Sequence, residues 1–103
     1  MPILLDYQNR EVRLTEERLA HILNHPEMVG METQIADTLT QPSLVRQSRS
    51  DESVALLYRF YTQITIGDKW LCVVVKYLPN DAFIVTAYFT DKPKTGETLW
   101  QSE

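Results

Sequence analysis

His21 and His25 stand four residues apart, the spacing that places two side chains on one face of a helix. An imidazole in such a position can act as a general acid or base near neutral pH. Two histidines can also begin a zinc site, but catalytic zinc takes three protein ligands. Cys72 is the only thiol, and neither Glu27 nor Asp37 is distinguished as a third ligand, so no metal is expected. The structural alternative makes His21 a surface residue and His25 a helix end beside Pro26. Arg59 and Lys76 are cations on strand-like segments, and they are expected to face one another across two strands. Like charges directly opposite repel unless an anion lies between them, either a substrate phosphate or an acid such as Asp91 or Glu97. Tyr61, Trp70, Thr86, Tyr88 and Thr90 bring rings and hydroxyls to the same surface, where rings beside cations can stack bases. The same residues also favour strands whatever their function. Cys72 falls mid-strand with no activating partner in view, which argues against a nucleophilic role. There is no phosphate loop, dinucleotide fingerprint or serine-hydrolase elbow.

Any such site must be carried by a single small core. The chain has 103 residues, 44% hydrophobic and 23% charged, proportions typical of one globular domain spanning 1–103. No apolar run approaches the ~20 residues of a membrane helix, so no membrane partner is expected. The start, Met1 to Asp6, does not read as a signal peptide. The lone cysteine suits a reducing compartment, and a cytoplasmic location is expected. The net charge of −4 opposes a general nucleic-acid coat, whose binding needs a broad cationic surface, but leaves room for a local basic site.

Periodicity divides the chain into a helical part and a strand part. Two strand-like pieces, Pro2 to Asp6 and Glu11 to Leu14, come first. Thr15 then reads as an N-cap, with Glu16 and Glu17 suiting the positive end of a helix dipole. Leu19, Ile22 and Leu23 form the apolar stripe, and Pro26 limits this helix to about Thr15 to Asn24. A second amphipathic helix is expected over Met31 to Leu39, closed before Pro42. Beyond it the period becomes two. Ser43 to Ser48 reads as a weak strand, followed by the strands Val54 to Ile66, Lys69 to Leu78 and Ala82 to Thr90. The residues from Asp91 to Glu103 read as a polar tail. The expected fold is α+β, with two N-terminal helices packed on one face of a roughly four-stranded antiparallel sheet.

A two-residue turn at Gly67-Asp68 would set Ile66 against Lys69, Phe60 against Val75 and Arg59 against Lys76. Tyr58, Phe60, Ile64, Leu71, Val73, Val75 and Tyr77 would then meet the helices. Arg59, Tyr61, Gln63, Trp70, Cys72, Val74 and Lys76 would face away. A three-residue turn at Pro79 to Asp81 would place Val75 opposite Val85 and bring Thr86, Tyr88 and Thr90 to the outer face. A turn of the other parity would reverse this assignment.

The stretch His21-Ile22-Leu23-Asn24-His25-Pro26-Glu27-Met28 resembles the helix of small phage- and bacteria-associated nuclease-like domains. These belong to the broad barnase–EndoU–colicin–RelE class of RNase folds. Ser48 to Asp51, Tyr58 to Tyr61, Lys69 to Lys76 and Phe83 to Thr90 complete the resemblance, which spans Thr15 to Trp100. It implies metal-independent cleavage of RNA, with the ribose 2′-hydroxyl attacking the adjacent phosphate to leave a 2′,3′-cyclic phosphate. It also implies a toxin- or phage-related role and no cofactor. On this reading His21 or His25 moves the proton, Arg59 and Lys76 hold the phosphate, and Thr86 and Tyr88 donate hydrogen bonds or position the ribose. Tyr61, Trp70 and Thr90 would bind the substrate. The alternative is a non-catalytic interaction domain of the same fold, whose partner is another protein or a second copy of the chain.

Overall fold

The computed structural model describes residues 3–64 and 67–102. The elements run β1 (Ile3–Leu5), β2 (Glu11–Arg13), α1 (Glu16–Leu23), a 3-10 turn (Pro26–Met28) and α2 (Glu32–Thr40). They continue with β3 (Leu44–Gln47), β4 (Val54–Ile64), β5 (Gly67–Leu78), β6 (Asp81–Thr90) and β7 (Thr98–Gln101). The strands form one seven-stranded sheet in the order β1-β2-β6-β5-β4-β3-β7. This corrects the four-stranded antiparallel expectation. The sheet is mixed, because β2 lies parallel to β6, and two of its strands precede the helices. It is also curled, so that the ring of Tyr7, beside one edge, meets that of Trp100 on the other at 5.5 Å between centroids.

β1 and β2 are the two strand-like pieces read before the helices, three residues each, and they join the sheet in place of standing apart from it. β7, in the stretch expected to be a polar tail, lies wholly exposed on the edge of β3 with no buried face to mark it. The helices form where capping and spacing place them. The Thr15 side chain accepts a hydrogen bond from the Arg18 amide at 3.1 Å, and Ile22 is buried beneath α1. α2 buries Ile35, Thr38 and Leu39 against the sheet. The main core joins these residues to Val12, Leu57, Leu71, Val73, Val75 and Ile84. Among the described residues no helix is long and apolar enough to cross a membrane.

The register of β4 against β5 differs from the expected one, with consequences for the site. Phe60 pairs with Trp70, Arg59 with Leu71 and Val54 with Lys76. Gly67, at φ 98°, already belongs to β5 and faces Ile64, so the expected Gly67-Asp68 turn does not form there. The expected pairing of Ile66 with Lys69 lies outside the described residues. The shift is five residues. Because five is odd, it turns the side chains of β4 over relative to β5. Tyr58 and Phe60 therefore face away from the helices, and Arg59 and Tyr61 face toward them.

The β5–β6 pairing reaches the expected arrangement by another route. The turn is Pro79-Asn80, with Leu78 opposite Asp81, one residue tighter than expected. Val75 pairs with Ile84 in place of Val85, and a bulge between Val74 and Val75 absorbs one residue of β6. Beyond it Val74 faces Thr86, Cys72 faces Tyr88 and Trp70 faces Thr90. A second, smaller core of Leu44, Leu56, Tyr58 and Cys72 lies on this outer face. Residues 91–97 cross it as a strap. The strap is tied down by Lys94 N donating to the Tyr58 hydroxyl at 3.1 Å and by Arg46 Nη1 donating to the Lys94 carbonyl at 2.8 Å. Gln47 N donates to the Glu97 carbonyl at 2.9 Å. Gly96 permits this closeness, since a Cβ there would lie 2.8 Å from the Gln47 carbonyl oxygen.

Candidate functional site

The expected site residues do not converge: some are engaged in holding the fold, on either face of the sheet, and the others line a cleft or a trough. Arg59 and Tyr61 lie on the helix side, where both are engaged in holding the fold. Arg59 Nη1 donates to the Gln41 carbonyl at 2.6 Å, and its guanidinium lies 5.9 Å from the Tyr61 ring centroid. The Tyr61 hydroxyl donates to the Gln34 carbonyl at 3.0 Å and stands 3.2 Å from the Thr38 hydroxyl. Lys76 lies on the opposite face, bound to Asp51 at 2.8 Å. The expected Arg59–Lys76 phosphate pair therefore does not exist, because the register separates the two cations by the thickness of the sheet. Trp70 lies on the outer face but meets Tyr58 and Phe60 edge-on, with centroids 6.5 and 5.3 Å away.

The cleft, of about 490 Å³, lies where the end of α1 meets β6. It collects His25, Tyr88 and Thr90 from the expected set, together with Glu27, Lys69, Phe89 and Asp91. Pro26 ends the first helical run, and His25 takes an extended backbone (φ −85°, ψ 118°) as the residue before it. Its Nδ1 lies 3.8 Å from Glu27 Oε1. His21, one turn earlier, meets His25 edge to face at 6.5 Å. Lys69 forms an ion pair with Asp91, and its hydrogen bond holds the Asp91 carboxyl below the usual carboxylate range. Burial raises the Tyr88 hydroxyl above its ordinary value, and the neighbouring Cys72 adds to the shift. Tyr88 therefore keeps its proton at neutral pH. The cleft is thus lined by a histidine–carboxylate pair and the Lys69–Asp91 ion pair, with Tyr88 and Thr90 of β6 at its border.

The trough, open and of about 1140 Å³, lies on the outer face, bounded by the Ser48 to Ser50 loop and by the strap. Thr86, Tyr88 and Thr90 line it, and Tyr88 and Thr90 also belong to the cleft. Its floor includes Val54, Leu56 and Val74, and its rim carries Arg49, Lys92 and Lys94. Arg49 reaches Thr95 Oγ1 at 3.4 Å, and Thr90 Oγ1 donates to the Lys92 carbonyl at 3.2 Å. Cys72 lies beneath the strap beside Tyr58 and Tyr88. Burial pushes its thiol up to about 11, so it is neutral and inert at physiological pH.

Sequence reasoning missed Lys69, Glu27, Arg49, Lys92 and Lys94. The pair Lys92-Pro93-Lys94 was visible as a local basic cluster in an acidic chain. Arg49 and Lys69 carried no signal of their own, since their placement depends on the strap and on the true register. Among the described residues, no group of three or more His, Cys, Asp or Glu side chains is arranged to hold a metal ion. Comparison with family models, with curated proteins and with solved structures finds no match for this chain.

Proposed function

We propose that the chain is an RNase-like domain that cleaves RNA at the cleft between the end of α1 and β6. One observation carries this reading: His25, Tyr88 and Thr90 meet there, joined by Glu27 and Lys69. The resemblance of His21 to Met28 to nuclease-like helices supports the same residues. Transesterification needs a base for the 2′-hydroxyl proton, an acid for the leaving oxygen and donors for the transition-state charge. In this proposal His25 accepts the 2′-proton, and Glu27 lies where it can orient the imidazole. Lys69 exchanges its Asp91 partner for the phosphate, and Tyr88 and Thr90 donate hydrogen bonds. His21, adjacent on α1, returns a proton to the leaving 5′-oxygen. Arg59, Lys76 and Tyr61 have structural roles in this account.

The test is cleavage of mixed-sequence RNA in EDTA by the wild type and by His25→Ala, Lys69→Met and Arg59→Ala variants. Loss of the proton-transfer group is expected to slow cleavage by about 10²- to 10⁴-fold. Lys69→Met is expected to slow it as well, and Arg59→Ala to leave it near the wild-type rate. Cleavage indifferent to His25, or none across about pH 5 to 9, would overturn the reading. The second reading, a non-catalytic interaction domain, is favoured by the apolar floor of the trough, which cleavage does not require.

A further inference from the structure

We propose that the outer-face trough is a docking surface for an acidic, apolar-anchored segment of another protein. This inference does not depend on the cleavage reading, because it rests on different residues. The chain carries a net charge of −4, yet the rim of this trough carries Arg49, Lys92 and Lys94. Among the described residues none of these three has an ion-pair partner, whereas Arg13, Lys69 and Lys76 each have one. The one acid in the lining, Asp91, is held by Lys69. Unpaired cations around a shared depression attract an anion and suppress cationic partners.

The floor narrows the class of anion. Val54, Leu56 and Val74 present aliphatic side chains, whereas single-stranded nucleic acids are held on aromatic platforms that stack bases. Tyr88 is the one aromatic residue in the lining, a half-buried ring packed on the Leu44, Leu56, Tyr58 and Cys72 cluster, and Trp70 and Phe60 do not line the trough, so no row of stacking rings is present among the described residues. At about 1140 Å³ the trough exceeds the ~300–1,000 Å³ typical of small-molecule sites, which suits an extended chain segment. The floor residues Val54, Leu56 and Val74 belong to β4 and β5, each flanked by two strands of the sheet, whereas β6 meets β2 only at Phe83. The floor itself offers no free backbone edge among the described residues, so recognition there is by side chains. Apolar residues of the partner rest on the aliphatic floor, and its Asp and Glu residues meet the rim.

The experiment is display selection of random dodecapeptides on the intact protein, with counter-selection on an Arg49→Glu, Lys92→Glu, Lys94→Glu variant. All three side chains are exposed, and thermal melting verifies that the variant is folded. A Val54→Ser variant probes the floor separately. The expected peptides combine Asp or Glu with Leu, Ile, Phe or Trp. They are expected to bind the wild type at least about tenfold more tightly than either variant and to weaken as salt rises. Enrichment of neutral or basic peptides, or none that prefers the wild type, would overturn the proposal. So would an oligouridylate that binds the wild type but not the charge-reversed variant, with no peptide doing so. RNA cleavage measured on the same proteins reports on the His25 cleft, so failure of one idea is distinguishable from failure of the other.

Discussion

Asp6 is 1% exposed and accepts three hydrogen bonds. Its Oδ1 takes the amides of Gln8 at 2.8 Å and Arg10 at 2.9 Å, closing the turn between β1 and β2. Its Oδ2 takes the Tyr77 hydroxyl at 2.7 Å, tying that turn to β5. Asp6→Ala strands all three donors and is expected to cost about 3 kcal/mol, whereas Tyr77→Phe removes one bond and costs about 1.5 kcal/mol. Urea melts of the two variants check both the size and the order. Asp51 allows a test by pH. The hydrogen bond from Lys76, with two from Ser53, holds its carboxyl well below the usual range. A carboxylate depressed in the folded state adds stability above its unfolded pKa of ~3.9 and loses it as pH falls through the folded value. Asp51→Asn is therefore expected to lower Tm at neutral pH, with the gap from wild type closing progressively below about pH 4. A gap unchanged into strong acid would contradict the assignment.

At the scale of elements, the strap is the part most sensitive to one small change. A Cβ at Gly96 meets backbone, the Gln47 carbonyl oxygen at 2.8 Å, so Gly96→Ala must push residues 91–97 away from β3. Crowding of this kind costs about 1–3 kcal/mol. Hydrogen exchange at the Lys94 amide, which is bonded to Tyr58, is expected to quicken in this variant, and protection equal to wild type would show that the strap is not held there. The helices were legible in the sequence because each carries a local signal: the Thr15 cap, Pro26, and the 3.6-residue stripe of Leu19, Ile22 and Leu23. The outer-face placement of Thr86, Tyr88 and Thr90 was also legible. A tighter turn and a bulge cancelled one another and restored the register there. The faces of β4 were not legible. Tyr58, Arg59, Phe60 and Tyr61 alternate ring with ring-or-cation, so neither face is marked by polarity, and the turn position alone decided the pairing. β7 escaped notice because an edge strand with all four residues exposed has no buried side to create a period.

At the scale of the molecule, the sheet divides labour between its faces. The helix side is a packed core into which Arg59 and Tyr61 are bonded, and it offers no concavity joining them to Lys76. The outer face carries the strap and the basic trough, and the cleft with His25 lies where the end of α1 meets β6. This arrangement explains how an acidic chain can present a local cationic surface. Arg49, Lys92 and Lys94, none of them in an ion pair among the described residues, gather at the rim of the trough. The central claim is that the His25 cleft breaks RNA through the ribose 2′-hydroxyl, and the most direct test is a DNA oligonucleotide containing a single ribonucleotide, incubated with the protein in EDTA. The account predicts one cut, on the 3′ side of the ribonucleotide, leaving a 2′,3′-cyclic phosphate, with the cut lost in His25→Ala. An intact oligonucleotide, or cleavage at deoxynucleotides as well, would contradict it.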